Sequence, residues 1–110
     1  MITYEKKDKI DIISFSVNNI NALITDEIKE GIIKVIDNSN SKIIIDLKGI
    51  EYIDSSGFGC FLSLMRASRS NYGIIKFANP EPRVMELFRM LHLHTVFQVF
   101  DDIDTCVRSF

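Results

Sequence analysis

Asp54-Ser55-Ser56-Gly57, followed by Phe58 and Gly59, sets a carboxylate and two hydroxyls where an apolar run gives way to a helical pattern. At such a strand-to-helix turn the first helical N–H groups need acceptors, and either Asp54 or Ser56 can cap them, leaving Ser55 to point outward. Gly57 and Gly59 remove side chains from the first turn, so another backbone or a partner surface can come close. The result is a hydroxyl on a low ledge. A serine cap with two packing glycines accounts for the same residues without any site.

Other chemistries find less support. A hydrolase built on Ser55 needs a Gly-x-Ser-x-Gly elbow and an oxyanion loop, and neither is present. Gly57-Phe58-Gly59 lacks the further glycine or Lys-Thr/Ser of a phosphate cradle. His92 and His94 share strand-like spacing, but a structural zinc site wants four ligands and no cysteine pair lies nearby. Asp101, Asp102 and Asp104 lack the spacing and downstream Glu of a calcium loop, and helix capping explains them. No metal is expected.

The elements that carry these residues follow from periodicity. Ile13, Phe15 and Val17 alternate with Ser14 and Ser16, a strand with one wet face, and Ile2 to Glu5 can pair with it across Lys7-Asp8-Lys9 as an antiparallel edge hairpin. Ile28, Ile32, Val35 and Ile36 form a helical stripe whose start carries Asp26 and Glu27. Asn38-Ser39-Asn40-Ser41 breaks that period. Ile43-Ile44-Ile45-Asp46-Leu47 is nearly continuously apolar, as a strand covered on both faces requires, and is expected at the centre of the sheet.

Beyond Asp54, Phe58, Phe61, Leu62 and Met65 make an inward stripe with Arg66 and Arg69 outside it, ending at Gly73. Ile74 to Ala78 reads as a strand. Asn79-Pro80 supplies a cap and first-turn proline for a helix burying Val84, Leu87, Phe88 and Leu91. Val96 to Phe100 is the fifth strand, and Asp101 caps a last helix burying Ile103, Cys106, Val107 and Phe110. The spacing therefore predicts an α/β fold: a mixed sheet of about five strands, antiparallel at the edge hairpin and otherwise largely parallel, covered by about four helices. In such sheets function gathers beyond the carboxyl ends of strands, at Asp54 to Gly57.

Composition narrows the function. A chain of 110 residues, 46% hydrophobic and 25% charged, suits one domain with its own core, residues 1–110. A net charge of -2 offers no positive field for nucleic acid, and no apolar run is long enough to cross a bilayer. With no leader pattern and two cysteines, Cys60 and Cys106, inside apolar patterns, a cytoplasmic protein with reduced, buried thiols is expected. The phenylalanines fall mostly on inward stripes, which marks core rather than a stacking platform.

The run from Ile43 to Gly59, with Asp46, Gly49 and Asp54-Ser55-Ser56-Gly57 in place, resembles the central strand and signature of the STAS domain family, named for sulfate transporters and anti-sigma-factor antagonists. Phe77-Ala78-Asn79-Pro80-Glu81-Pro82-Arg83-Val84 resembles the family's strand, Asn-Pro turn and third helix, and Val96 to Asp101 its last strand and helix start. The resemblance implies a bacterial partner-switching protein whose free form captures an anti-sigma factor that is also a serine kinase. It further implies that this kinase phosphorylates the serine after the motif's Asp, here Ser55, using its own ATP, and that a metal-dependent phosphatase restores it. Asp54, Ser56, Gly57, Phe58 and Asn21 are then the expected partner-binding residues. This chain itself would need no cofactor and would not be an enzyme.

Two positions depart from the family pattern. A Gly, Leu and Asp cluster beside the serine is replaced by Val17-Asn18-Asn19-Ile20-Asn21, where Asn21 stands in for the acid and keeps its oxygen without the charge. A glycine after the third helix is replaced by His92, which is expected to take the left-handed conformation. The alternative within the same fold is an unphosphorylated scaffold of a stress-sensing complex or an accessory subunit of a membrane lipid transporter.

Overall fold

In the computed structural model, which describes residues 1–36 and 40–110, the chain opens with a hairpin of β1 (Ile2–Lys7) and β2 (Ile10–Phe15). Asp8 and Lys9, at φ 51° and 67°, form its two-residue turn. Two successive left-handed residues match the twist of an antiparallel pair. The chain then runs through β3 (Asn19–Ile20), α1 (Thr25–Ile36), β4 (Lys42–Asp46), β5 (Tyr52–Ile53), α2 (Ser55–Ser70) and β6 (Ile74–Ala78). It ends with α3 (Pro82–Met90), a 3₁₀ turn at Leu93–Thr95, β7 (Val99–Phe100) and α4 (Ile103–Arg108). Asn38 and Ser39, read as breaking the first helix, lie outside the described residues; α1 ends at Ile36.

The main sheet has the order β1-β2-β4-β6-β7, antiparallel only between β1 and β2. The α/β architecture thus matches expectation, and β4 is central, with Ile43, Ile44 and Ile45 fully buried. A separate two-stranded parallel ladder joins β3 to β5. It was not anticipated, because two residues leave no period to read.

One face of the sheet packs Ile13, Ile43, Ile45 and Phe77 against Ile28 and Ile32 of α1, Phe61 and Leu64 of α2, and Val84 and Phe88 of α3. Phe77, Phe88 and Phe97 meet edge to face at centroid separations of 5.0 to 6.0 Å, the arrangement ring quadrupoles favour. The other face buries Ile10, Ile12, Ile44 and Ala78 against Cys106 of α4. This second core covers part of the face of β2 expected to be wet: Ile12 is buried in the cluster with Cys106 of α4, while Ser14 is half-buried and Ser16 exposed. On the same face Lys76 is buried, and its Nζ donates to Ser109 O at 2.8 Å and Ser109 Oγ at 2.9 Å, above the Phe110 ring. A buried ammonium is tolerable only when so partnered.

Several boundaries shift for local reasons. α2 stops at Ser70, and Tyr72, not Gly73, takes the left-handed conformation. Gly73 is needed for space, since a Cβ there would sit 2.5 Å from Ser68 Oγ. α3 begins with Pro82 rather than at Asn79-Pro80, and Glu81 stands at its N-cap position without a side-chain capping bond. Asn79 instead adopts φ 57° and donates from Nδ2 to Asp46 Oδ1 at 3.2 Å. Leu91 is the C-cap of α3 and half exposed, not inward, while His92 is left-handed as expected.

The fifth strand shortens to Val99–Phe100 because the amides of Val96 and Phe97 turn back to Leu93 O. Asp102, not Asp101, caps α4: its Oδ1 accepts from Thr105 N at 2.7 Å. That bond to a backbone N–H holds the Asp102 carboxyl below its ordinary pKa.

Candidate functional site

The ledge is built by the small β3–β5 ladder. Glu51 N donates to Asn18 O at 2.7 Å and Asp54 N to Ile20 O at 3.0 Å, so the end of β5 is tied to the loop that leads into α1. Ile53 then points into the core and the chain turns directly into α2. Asp54 resolves the choice of cap: in extended backbone, φ -86° and ψ -179°, its Oδ1 accepts from Gly57 N at 2.9 Å. Ser55 is the first helical residue and is exposed. Its hydroxyl makes no hydrogen bond among the described residues.

Gly57 is buried for an internal reason. A Cβ there would lie 2.6 Å from Ile53 Cγ2 and 3.0 Å from Ile20 Cγ2, so its absence lets the first turn of α2 settle onto the ladder. Gly59, by contrast, faces open space. Phe58 is 4% exposed and stacks edge to face on Phe88 at 5.1 Å. Gly57 and Phe58, expected to touch a partner, therefore belong to the core, because the ladder and α3 cover them.

Ser56 is half-buried and lines a cleft of about 160 Å³ between α1 and α2, with Thr25, Asp26, Lys29, Gly59, Cys60 and Ser63. Cys60 and Cys106 are buried free thiols as expected. Burial, the main cause, raises both pKa values, that of Cys106 to about 11. The surrounding carboxylates Asp26 and Asp102 add to the two shifts while Lys29 and Lys76 oppose them.

Asn21, read from sequence as the stand-in for the family's acid, lies on the neighbouring loop, and its Oδ1 accepts from Leu23 N at 2.9 Å. It shapes a turn. Beside that turn an open groove of about 550 Å³ runs over Phe15, Val17 and Ile24 with Asn18, Asn19 and Gly49 at its rim. Gly49, at φ 84°, donates its N–H to Glu81 Oε2 at 2.8 Å, which fastens the β4–β5 connection to the start of α3. Leu23 and Glu81 were not singled out from sequence. The signal for Leu23 was there: from Ile12 to Thr25 no residue is charged.

The histidines offer no centre. Their rings are 6.3 Å apart, and among the described residues no group of three or more His, Cys, Asp or Glu could hold a metal ion. Among the same residues no helix is long and apolar enough to cross a membrane.

The class this arrangement defines is a mixed-sheet α/β domain that displays a serine at the entry to a helix, and the STAS domain model matches residues 1–106. The chain belongs to the STAS domain family. Solved structures share its fold. An anti-sigma-factor antagonist (STAS) domain protein from Planctomyces limnophilus is 16% identical with TM-score 0.89, covering 98% of this chain and 96% of that one. An anti-sigma factor antagonist from Mycobacterium paratuberculosis is 17% identical with TM-score 0.86, covering 99% and 92%. The Bacillus cell fate determinant SpoIIAA in its phosphorylated form is 19% identical with TM-score 0.69, covering 100% of both chains.

Proposed function

We propose that this chain is an anti-sigma factor antagonist whose unphosphorylated form binds an anti-sigma factor that is also a serine kinase, and whose phosphorylation on Ser55 ends that binding. The observation that carries the reading is the exposed Ser55 hydroxyl at the first position of α2, beside a cap already supplied by Asp54. Family membership and a relative known in a phosphorylated form support it. The ATP belongs to the kinase, and this chain contributes only the acceptor hydroxyl. A metal-dependent phosphatase would reverse the step.

Phosphoserine adds about 1.5 to 2 negative charges and three acceptor oxygens at one point. At a helix N-terminus the free N–H groups and macrodipole favour that charge, so the domain keeps its fold. A partner packed over the ledge would have to desolvate a dianion, at a cost of several kcal/mol unless it brought cations. Each 1.4 kcal/mol or so weakens binding about tenfold.

The test is incubation with the host's anti-sigma serine kinase and ATP, followed by intact mass and peptide mapping, then titration of the kinase. One phosphate on Ser55, Ser55→Ala binding as wild type does, and Ser55→Asp binding at least about tenfold more weakly are expected. Equal affinities of all three, with no phosphate gained, would return the chain to the scaffold or transporter-subunit class.

A further inference from the structure

We propose that Leu23, at the tip of the loop beside Ser55, is an apolar anchor that this chain inserts into the same partner protein, and that Asn21 is the positioning residue that aims it. The proposal rests on the function given above. Leu23 is 92% exposed, more than any other large apolar residue described, so it contributes nothing to the core. Its backbone is nonetheless fixed: Leu23 N donates to Asn21 Oδ1 at 2.9 Å, Ile24 N to Asn21 O at 3.1 Å, and Thr25 Oγ1 to Ala22 O at 3.4 Å. A side chain presented on an ordered turn loses little further backbone freedom when it is captured.

Position ties Leu23 to Ser55. The carbonyl of Ile20 holds the amide of Asp54 at 3.0 Å, and the three residues from Ile20 to Leu23 can reach no further than about 11 Å. An interface of ordinary size covers about 800 Å² of each partner, a patch of about 16 Å radius, wide enough to take in both residues. A body centred between them rests on Ser55 and meets Leu23 together.

Charge selects the kind of partner. The stretch from Ile12 to Thr25 is uncharged between Asp11 and Asp26. Loss of charge with a projecting apolar side chain is the pattern of a protein interface core. A nucleic acid or an anionic membrane would need cations here, and this stretch supplies none. Asn21 also acquires a reason: its amide oxygen builds the turn, which an acceptor without charge does while leaving the interface core neutral.

The kinase used to test Ser55 is titrated calorimetrically with wild type, Leu23→Ser, Asn21→Ala, Asn21→Asp and, as a control, Tyr72→Ser. Tyr72 is 83% exposed but lies beyond the far end of α2, whose sixteen residues span about 24 Å. Leu23→Ser is expected to weaken binding at least about tenfold with an unchanged melting temperature. Asn21→Ala should lose a several-fold share of affinity, Asn21→Asp should restore most of it through its carboxylate acceptor, and Tyr72→Ser should bind as wild type.

Leu23→Ser binding like wild type while Ser55→Asp does not would overturn the anchor and leave the switch standing. Loss of binding in Leu23→Ser with Ser55→Asp unaffected would do the reverse. Equal losses in Leu23→Ser and Tyr72→Ser would show nonspecific stickiness and overturn the anchor. No binding by wild type would overturn both.

Discussion

Asp54 carries two tasks, ending β5 through its amide and starting α2 through its carboxylate. Replacing it with Ala leaves Gly57 N without its acceptor at a half-buried position. Loss of such a cap costs about 1 kcal/mol, which for a domain of this size lowers the melting temperature by about 4 to 8 °C. Asp54→Asn, which keeps the oxygen, should recover most of that loss in a thermal melt. If Asp54→Ala melts with wild type, the cap is not holding the ledge. Ser55 itself is free to change because the side-chain cap on Gly57 N comes from its neighbour Asp54.

Among the elements, the two-residue ladder of β3 and β5 decides where the ledge stands, and Gly57 is where α2 presses on it. Gly57→Ala puts a methyl against Ile53 and Ile20, so either the helix or the ladder must move; overpacking of this kind costs about 1 to 3 kcal/mol. Gly59 is the contrast, a helical glycine facing open space. There Ala should stabilise by about 0.5 to 1 kcal/mol. Urea midpoints of the two variants should therefore move in opposite directions from wild type. A common direction would mean that the ladder does not constrain α2.

For the whole molecule, the decisive feature is that the sheet is covered on both faces, by α1 to α3 on one and α4 on the other. Cys106 reports on the second face. Burial raises its thiol from 9.0 to about 11, so the folded chain holds a proton that the unfolded chain releases. Its contribution to stability is complete below about pH 9 and is lost as the pH climbs toward 11. Urea unfolding at pH 7 and at pH 10.5 should show a smaller alkaline decline in Cys106→Ala than in wild type. Identical declines would mean that α4 does not shield the thiol.

Much of this was legible in the residues. The run Ile43-Ile44-Ile45 could only be a doubly covered strand, the stripe Ile28, Ile32, Ile36 only a helix, and Asp54-Ser55 only a junction between the two. Period and capping chemistry are local, and they survive without knowledge of neighbours. The burial of Ile12, the withdrawal of Gly57 and Phe58 from the ledge, and the turning of Asn21 toward Leu23 were of another kind. The first three depended on segments distant in sequence, α4 for Ile12, β3 for Gly57 and α3 for Phe58, whereas the Asn21 turn is local and carries no periodicity to read. Pattern alone marks which side chains prefer apolar surroundings, but which surface is covered is set by non-local packing, and that packing left Leu23 outside and Ser55 in the open.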